Sequence, residues 1–211
     1  MSSLHTAPSP SSPPDAASAG SESRRATGRA VGRWMASFAG YPLGGYAAFL
    51  LTGRVDAPGP ALAGGLLTGL ILGAVQIWAM GLARPQPRVW AWAWILATGA
   101  GLTVGVAAGA ALVDYQTDLG SLVLQGAVSG ALLGSAQGTV LYRRLGALVL
   151  AWPFFLGGTF ALGWAVTTSA GIDVDQQFTI FGSSGALVAA LLTSVLPLAL
   201  DSRTTSTGGT S

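Results

Sequence analysis

The sequence predicts an all-α membrane protein whose six transmembrane helices form three tandem helix hairpins. Two observations support this prediction. Hydrophobic residues make up 51% of the 211-residue chain and charged residues only 9%, whereas a soluble domain needs a surface with roughly 25–35% charged residues. In addition, a pattern of glycine, glutamine and tryptophan recurs about every 60 residues, and such a period indicates one structural unit used repeatedly.

Both ends of the chain have compositions that do not support a folded core. Residues 1–32 are rich in Ser, Pro and Ala and have few large apolar side chains, so burial cannot offset the entropy lost on ordering them. The polar residues 201–211 are similar. We therefore expect two disordered cytoplasmic tails that flank a transmembrane domain at 33–200.

Six apolar stretches divide the transmembrane domain. They lie at 34–53, 60–83, 89–113, 119–142, 146–170 and 177–200. Each is close to or longer than the ~20 residues with which a helix crosses the hydrocarbon core. Pro42 interrupts the first stretch, but neighbouring helices can satisfy the backbone groups that a proline frees inside a membrane. We therefore expect six spans, which places both termini on the same side.

The charges between the stretches predict the orientation. Alternate loops carry the arginines Arg84, Arg88, Arg143 and Arg144. The other loops carry the aspartates Asp56, Asp114, Asp118, Asp173 and Asp175, with Arg54 as their only cation. Because cytoplasmic loops have an excess of basic residues, we expect the Arg loops and both termini in the cytoplasm. The predicted location is the bacterial plasma (inner) membrane, so the lipid bilayer is the first expected partner.

The recurring residues define three copies of one unit. The first copy consists of Gly65, Gly69, Gly73 and Gln76, and the second, 61 residues later, of Gly126, Gly130, Gly134 and Gln137. A degenerate third copy consists of Gly182, Ala186, Ala190 and Thr193. Trp34, Trp94 and Trp152 lie upstream of the three copies, in the preceding apolar stretches. The predicted units are residues 34–83, 89–142 and 146–200, and two spans per unit make them parallel repeats around a pseudo-threefold axis.

The glycines of each copy share one helix face. With 3.6 residues per turn, offsets of 4, 8 and 11 residues return to nearly the same direction. A stripe of small residues lets two backbones approach closely, which matters in lipid because no hydrophobic drive brings helices together there. We therefore expect helix packing at Gly65, Gly69, Gly73, Gly126, Gly130, Gly134 and Gly182. Abundant Gly and Ala also produce such spacings by chance, an alternative that applies most to the third copy.

Gln76, Gln137 and Thr193 are the candidate polar residues inside the membrane, and two interpretations are open. A polar ring of these side chains would bind or pass a small polar solute. Alternatively, each glutamine holds two helices together by a hydrogen bond to a neighbouring backbone carbonyl. The position of both glutamines on the glycine face favours the second interpretation.

Catalysis, metal binding and nucleic-acid binding find little support in the sequence. The chain has no Cys, and its one histidine is His5 in the N-terminal tail. Residues 182–185 resemble the G-x-S-G motif of rhomboid intramembrane proteases, but that serine needs a histidine base in the membrane. The arginines are scattered and form no basic stripe. We expect the loop aspartates to be solvated or helix-capping, and no catalytic residue, metal or cofactor.

Tryptophans near the expected cytoplasmic helix ends have a simple interpretation. Trp78, Trp90, Trp92, Trp94 and Trp152 lie there. Amphipathic indole rings are enriched at the headgroup boundary, so we interpret these five side chains as an interfacial belt.

Two functional classes remain open. The first is a structural or interaction component of a membrane assembly, with membrane-protein partners or further copies of the chain. The second is a small-solute transporter, a channel or a substrate-binding subunit that uses the glutamines. The chain is similar in size and helix number to the substrate-binding subunits of energy-coupling-factor vitamin transporters, although no motif supports that resemblance. The absence of a catalytic constellation favours the first class and does not favour an enzyme.

Overall fold

The computed structural model describes residue 25 and residues 28–81, 87–174 and 176–199, and all regular structure in this part of the chain is helical. The all-α prediction is confirmed for these residues. The C-terminal tail 201–211, Arg84 and Asp175 lie outside the described residues, as do residues 1–24, 26 and 27 of the N-terminal tail. The α-helices are α1 28–36, α2 Gly40–Thr52, α3 Pro58–Gly81, α4 Arg88–Leu112, α5 Leu119–Leu145, α6 Trp152–Ser169, α7 Ser183–Thr193 and α8 195–199.

Two 3-10 segments join helices directly. Ser37–Ala39 connects α1 to α2, so that residues 28–52 form one nearly continuous helical stretch. Pro42 therefore lies in the first turn of α2, where its missing N–H removes little. Residues 28–32, which the sequence analysis placed in the N-terminal tail, belong to α1. The second segment, Gly146–Ala151, connects α5 to α6.

Three helical stretches are long and apolar enough to cross a membrane. They are Pro58–Gly81, Arg88–Leu112 and Leu119–Ser169, with mean hydropathies of 1.7 to 1.8, and Ser183–Ala199 is a shorter apolar helix. The 51-residue stretch Leu119–Ser169 contains α5 and α6, and the chain reverses between them. These helices are compatible with a membrane location.

The ends of several helices follow from local chemistry. Proline is favoured in the first turn of a helix, where its missing donor has no partner to lose, and Pro58 begins α3. The Asp118 side chain accepts a hydrogen bond from the Ser121 backbone N–H and caps α5, as the sequence analysis expected for a loop aspartate. Gly146 ends α5 with a φ of 60°, a conformation that glycine adopts without the strain of a Cβ atom. The turn into α6 therefore depends on this glycine.

Consecutive helices from α2 to α7 pack antiparallel to one another. On α3, Gly73 faces Ile95 of α4 and Gly65 faces Leu102, so the two helices run in opposite directions. The same holds for α5 and α6, where Gly134 faces Pro153 and Gly126 faces Phe160. Helix α7 packs against α6, the 3-10 segment Ser37–Ala39 and α2. The helices α2 to α7 therefore form a closed ring around a common interior.

The sixth apolar stretch is only partly helical. The prediction began it at residue 177, whereas α7 begins at Ser183. Within the preceding segment, Ile180 and Phe181 are 4% and 1% exposed. This segment, which connects α6 to α7 in the chain, is apolar because these side chains are buried in the interior. Hydrophobicity alone does not distinguish such a segment from a helix.

Candidate functional site

Three tryptophans donate hydrogen bonds to polar side chains of the adjacent helix in the ring. Trp94 of α4 donates through Nε1 to Gln76 Oε1 of α3, at 3.0 Å. Trp152 of α6 donates to Gln137 Oε1 of α5, at 3.2 Å. The third bond joins the two ends of the ring, because Trp34 of α1 donates to Thr193 Oγ1 of α7 at 3.1 Å. We call these six side chains the tryptophan cluster.

The cluster brings together the three polar residues that the sequence singled out. Gln76, Gln137 and Thr193 are only 4%, 2% and 3% exposed. The partners of the glutamines are indole N–H groups, not the backbone carbonyls that the sequence analysis expected. An indole N–H can only donate. Each tryptophan therefore binds the amide oxygen of its glutamine and orients that oxygen, not the amide nitrogen, toward the neighbouring helix.

Gln137 also connects two of the three pairs. Its Nε2 donates to Thr98 Oγ1 of α4 at 3.0 Å. Thr98 in turn donates to the Trp94 carbonyl oxygen at 2.8 Å. One glutamine thus uses both ends of its amide to hold α4, α5 and α6 together, which is typical of a buried polar network that is satisfied by its own members.

The space that the cluster surrounds is very small. A cavity of about 10 Å³ lies between the three tryptophans, Gln76, Gln137, Thr193 and neighbouring apolar side chains. A cavity needs roughly 10–15 Å³ of this measure to hold one water molecule. The interior at this level therefore has room for a single water and no room for a hydrated solute.

Aromatic side chains fill the interior on the side of the Asp loops. Tyr41, Phe160 and Phe181 are each at most 2% exposed. Their ring centroids lie 5.1 to 6.2 Å apart, the range in which aromatic pairs are favourable. Beyond them, Gln177 joins two loops, since its carbonyl accepts from Val55 N–H and its Nε2 donates to the Tyr115 carbonyl oxygen, both at 2.9 Å.

The end at the Arg loops is covered by a second set of contacts. Trp90 stacks on Trp94 with centroids 5.6 Å apart. The Arg144 guanidinium lies 4.1 Å from the centre of the Trp90 ring, within the range of a cation–π interaction. The charged Arg144 side chain therefore lies on Trp90, which in turn stacks on Trp94 of the tryptophan cluster.

These contacts correct the interpretation of the tryptophans as an interfacial belt. Trp94 is fully buried and Trp152 is 8% exposed, so neither side chain faces a headgroup region. Trp78 and Trp92, at 55% and 63% exposed, fit the belt interpretation. The recurrence of tryptophan in each unit, noted in the sequence, is the signal for this role, because lipid anchoring alone does not require tryptophan to recur together with glutamine or threonine.

The two intact glycine stripes lie directly against a neighbouring backbone. A Cβ atom at Gly65 or Gly69 would lie 2.6 Å from the carbonyl oxygen of Leu102 or Thr98 on α4. On α5, a Cβ atom at Gly130 would overlap the Leu156 carbonyl group, and one at Gly134 would lie 2.6 Å from the Pro153 Cα atom. Gly73 and Gly126 have similar close contacts with α4 and α6.

Gly182 is placed differently from the other six glycines. It is the residue before α7, and a Cβ atom there would meet only side-chain atoms of Thr167 and Ile172, the nearest at 3.2 Å. The close backbone contact of α7 is made instead by Gly185, at the Gly163 carbonyl. Gly185 occupies the position of Thr68 and Ser129 in the first two copies, three residues after the first glycine. A comparison of the glycines alone therefore does not identify it.

Thr68 and Ser129 make equivalent contacts on the other face of their helices. Thr68 Oγ1 donates to the Gly44 carbonyl oxygen at 3.3 Å, and Ser129 Oγ donates to that of Gly105 at 3.1 Å. Both pairs are separated by 24 residues. The small residue on one helix and the hydroxyl on the next therefore combine close packing with an interhelical hydrogen bond.

The loop aspartates do not form a constellation of ligands or acids in the described residues. No group of three or more His, Cys, Asp or Glu side chains that could hold a metal ion occurs there. Hydrogen bonds from the Ser121 hydroxyl and backbone N–H lower the pKa of Asp118 from its ordinary value of 3.8. Asp118 is thus an ionised helix cap.

A comparison of the chain with protein family models, with curated proteins and with solved structures finds no match. Chemically, the tryptophan cluster can cross-link helices and exclude solutes. Its six side chains include no Cys, His, Asp, Glu or Lys.

Proposed function

We propose that the chain is an integral membrane protein with a sealed interior that acts as a structural or interaction component of a membrane assembly. The observation that supports this most is the tryptophan cluster, in which the polar side chains form hydrogen bonds with one another. The remaining space of about 10 Å³ and the aromatic layer beside it leave no polar path along the axis of the ring. The glutamines then hold helices together and do not contact a solute.

The proposal includes six spans arranged as three parallel repeats. Two pairs of equivalent contacts, whose residues are related by 58 to 61 positions, support the repeat. Thr68 bonds to Gly44 as Ser129 bonds to Gly105, and Trp94 and Gln76 are related as Trp152 and Gln137 are. Trp34 and Thr193 would then be the third pair, in which the shorter threonine replaces glutamine.

The proposed topology places both termini and the Arg loops in the cytoplasm of a bacterial inner membrane. Fusions of an enzyme that is active only outside the cytoplasm test it. We expect activity when the reporter follows Asp56 or Asp118 and silence when it follows Arg84 or Arg144. Activity at the Arg84 fusion would contradict the orientation and the two-span unit together.

Solute flux separates the proposed function from the transport alternative. Purified protein in liposomes should leave the permeability to glycerol, amino acids and monovalent ions unchanged relative to empty liposomes. A flux that depends on protein and is abolished by Gln76→Leu would refute a sealed interior and would make a transporter the better explanation.

The assembly part of the proposal has its own measurement. Extraction from native membranes into polymer-bounded lipid discs, followed by mass determination, should give a particle whose protein mass exceeds the 21.1 kDa of one chain. A mass that corresponds to one chain at every expression level would contradict a role in an assembly. An integer multiple would identify the partner as further copies of the chain.

A further inference from the structure

A second cavity lies at the opposite end of the ring from the tryptophan cluster, near the Asp loops. It measures about 240 Å³ and opens between α2, the C-terminal half of α6, residues 172–174 and residues 178–183. We call it the loop-side pocket. It lies at the seam where the first and last helices of the ring meet, and the sealed interior described above does not need it.

The walls of the loop-side pocket are mostly apolar and rich in aromatic rings. Tyr46, Trp164, Phe178 and Phe181 line it together with aliphatic side chains, and Asp173, which has an interaction of its own within the protein, lies at the wall as well. Pockets that bind small molecules have this composition, with a few polar groups that orient the ligand. An apolar cavity of about 150 Å³ is large enough for benzene, whereas drug-sized ligands occupy about 300 to 1,000 Å³. The pocket therefore fits one ring with a short substituent.

One buried polar side chain that lines this pocket has no protein partner. Among the described residues, the buried side-chain polar atoms without a hydrogen-bond partner are Trp90 Nε1 and the hydroxyl oxygens of Thr167, Thr168, Thr179 and Ser184. Of these residues, Thr167 lines the pocket, and it is 1% exposed. Buried polar groups are nearly always satisfied, so this exception at the pocket wall indicates a water or ligand that completes it.

The first turn of α7 adds donors at the same wall. Ser183 lines the pocket and begins α7, and the preceding Gly182 provides no side-chain cap. The first N–H groups of a helix have no partner within the helix. A ligand oxygen beside Thr167 and Ser183 would accept from these donors while its ring occupies the aromatic part of the pocket.

From the volume, the aromatic walls and the unpartnered Thr167 hydroxyl together, we propose that the loop-side pocket binds a small, neutral, ring-containing molecule with one hydrogen-bonding oxygen. Such a molecule partitions into the bilayer and would enter from there. This site is independent of the proposed structural role of the tryptophan cluster, so either proposal can fail without the other.

Photolabelling tests the site with a defined compound. A benzyl alcohol that carries a trifluoromethyl-diazirine group is added to the full-length protein in liposomes, and labelled residues are located by mass spectrometry. We expect saturable labelling within residues 164–183 that excess benzyl alcohol displaces. Labelling that rises linearly with the compound and is not displaced would reduce the pocket to ordinary lipid-exposed surface and overturn the proposal.

Matched variants decide whether the label reports the pocket. Ser183→Trp should fill it and reduce the saturable labelling at least tenfold, whereas Ser169→Trp, at an exposed position outside the pocket, should not. Equal saturable labelling in both variants would contradict the site.

A nearly isosteric change tests the hydrogen bond and does not require the larger side chain to be tolerated. Thr167→Val should raise the concentration of benzyl alcohol needed for half-displacement about fivefold, the effect of one hydrogen bond. It should leave that of toluene unchanged. Unchanged values for both compounds would overturn the hydrogen-bonded orientation.

Discussion

Replacement of Gln137 by leucine is the sharpest test of the tryptophan cluster. The substitution removes the acceptor of the Trp152 indole and the donor to Thr98. A buried donor that loses its partner costs about 1–3 kcal/mol, and this applies to Trp152, which is 8% exposed. Thr98 keeps its own bond to the Trp94 carbonyl oxygen, so its loss is nearer the ~0.6 kcal/mol of an average interhelical bond in a membrane. We therefore expect Gln137→Leu to lower the free energy of unfolding by about 2–4 kcal/mol.

Unfolding in mixed micelles by titration with a denaturing detergent measures this free energy, and two further variants interpret it. Gln116→Leu makes the same chemical change at an exposed position, where the amide nitrogen lies 3.5 Å from its acceptor, and should leave stability nearly unchanged. The double variant Gln137→Leu with Trp152→Phe should cost less than the sum of its two single variants, because both partners of one bond are then removed. Strict additivity, or a Gln137→Leu variant as stable as the parent, would refute the conclusion that Gln137 holds helices together through its hydrogen bond with Trp152.

Two other predictions concern helix packing and a helix cap. Gly130→Ala should destabilise the protein by about 1–3 kcal/mol through overpacking against the Leu156 carbonyl group. Gly158→Ala, where a Cβ atom would meet nothing within 4 Å, should be neutral or stabilising in the same titration. Hydrogen bonds from Ser121 lower the pKa of Asp118 from 3.8. The ionised carboxylate therefore stabilises the fold at a pH above 3.8. This contribution disappears as the pH falls through the lower pKa of the folded state. The difference in melting temperature between the parent and Asp118→Asn should therefore shrink below about pH 4; a constant difference would contradict the ionised cap.

Much of the glycine geometry could be read from the sequence. The register of Gly65, Gly69 and Gly73 specifies one helix face by arithmetic alone, because the helical repeat is fixed at 3.6 residues. The same arithmetic places Gln76 on that face. The helical repeat does not identify the hydrogen-bond partner of Gln76. The sequence alone therefore places the indole of Trp94 at the membrane boundary.

The third unit was harder to predict for a related reason. Its residues are threonine and alanine where the other units have glutamine and glycine, and Gly182 precedes α7. The segment before α7 is apolar because Phe181 packs on Tyr41, with ring centroids 5.3 Å apart. Burial in the interior and burial in lipid require the same composition, so only the tertiary structure separates them.

The bond between Trp34 and Thr193 has a consequence for biosynthesis. Its two residues are 159 positions apart, and a ribosome that adds about 5–20 residues per second needs roughly 8 to 32 s to make that length of chain. In the proposed membrane topology, the indole N–H of Trp34 lacks its final acceptor during this interval. Lipid headgroups, water or the insertion machinery must satisfy it until α7 arrives. The first part of the chain to be synthesised thus completes its interhelical bonding last, and a chain that terminates before α7 cannot close the ring.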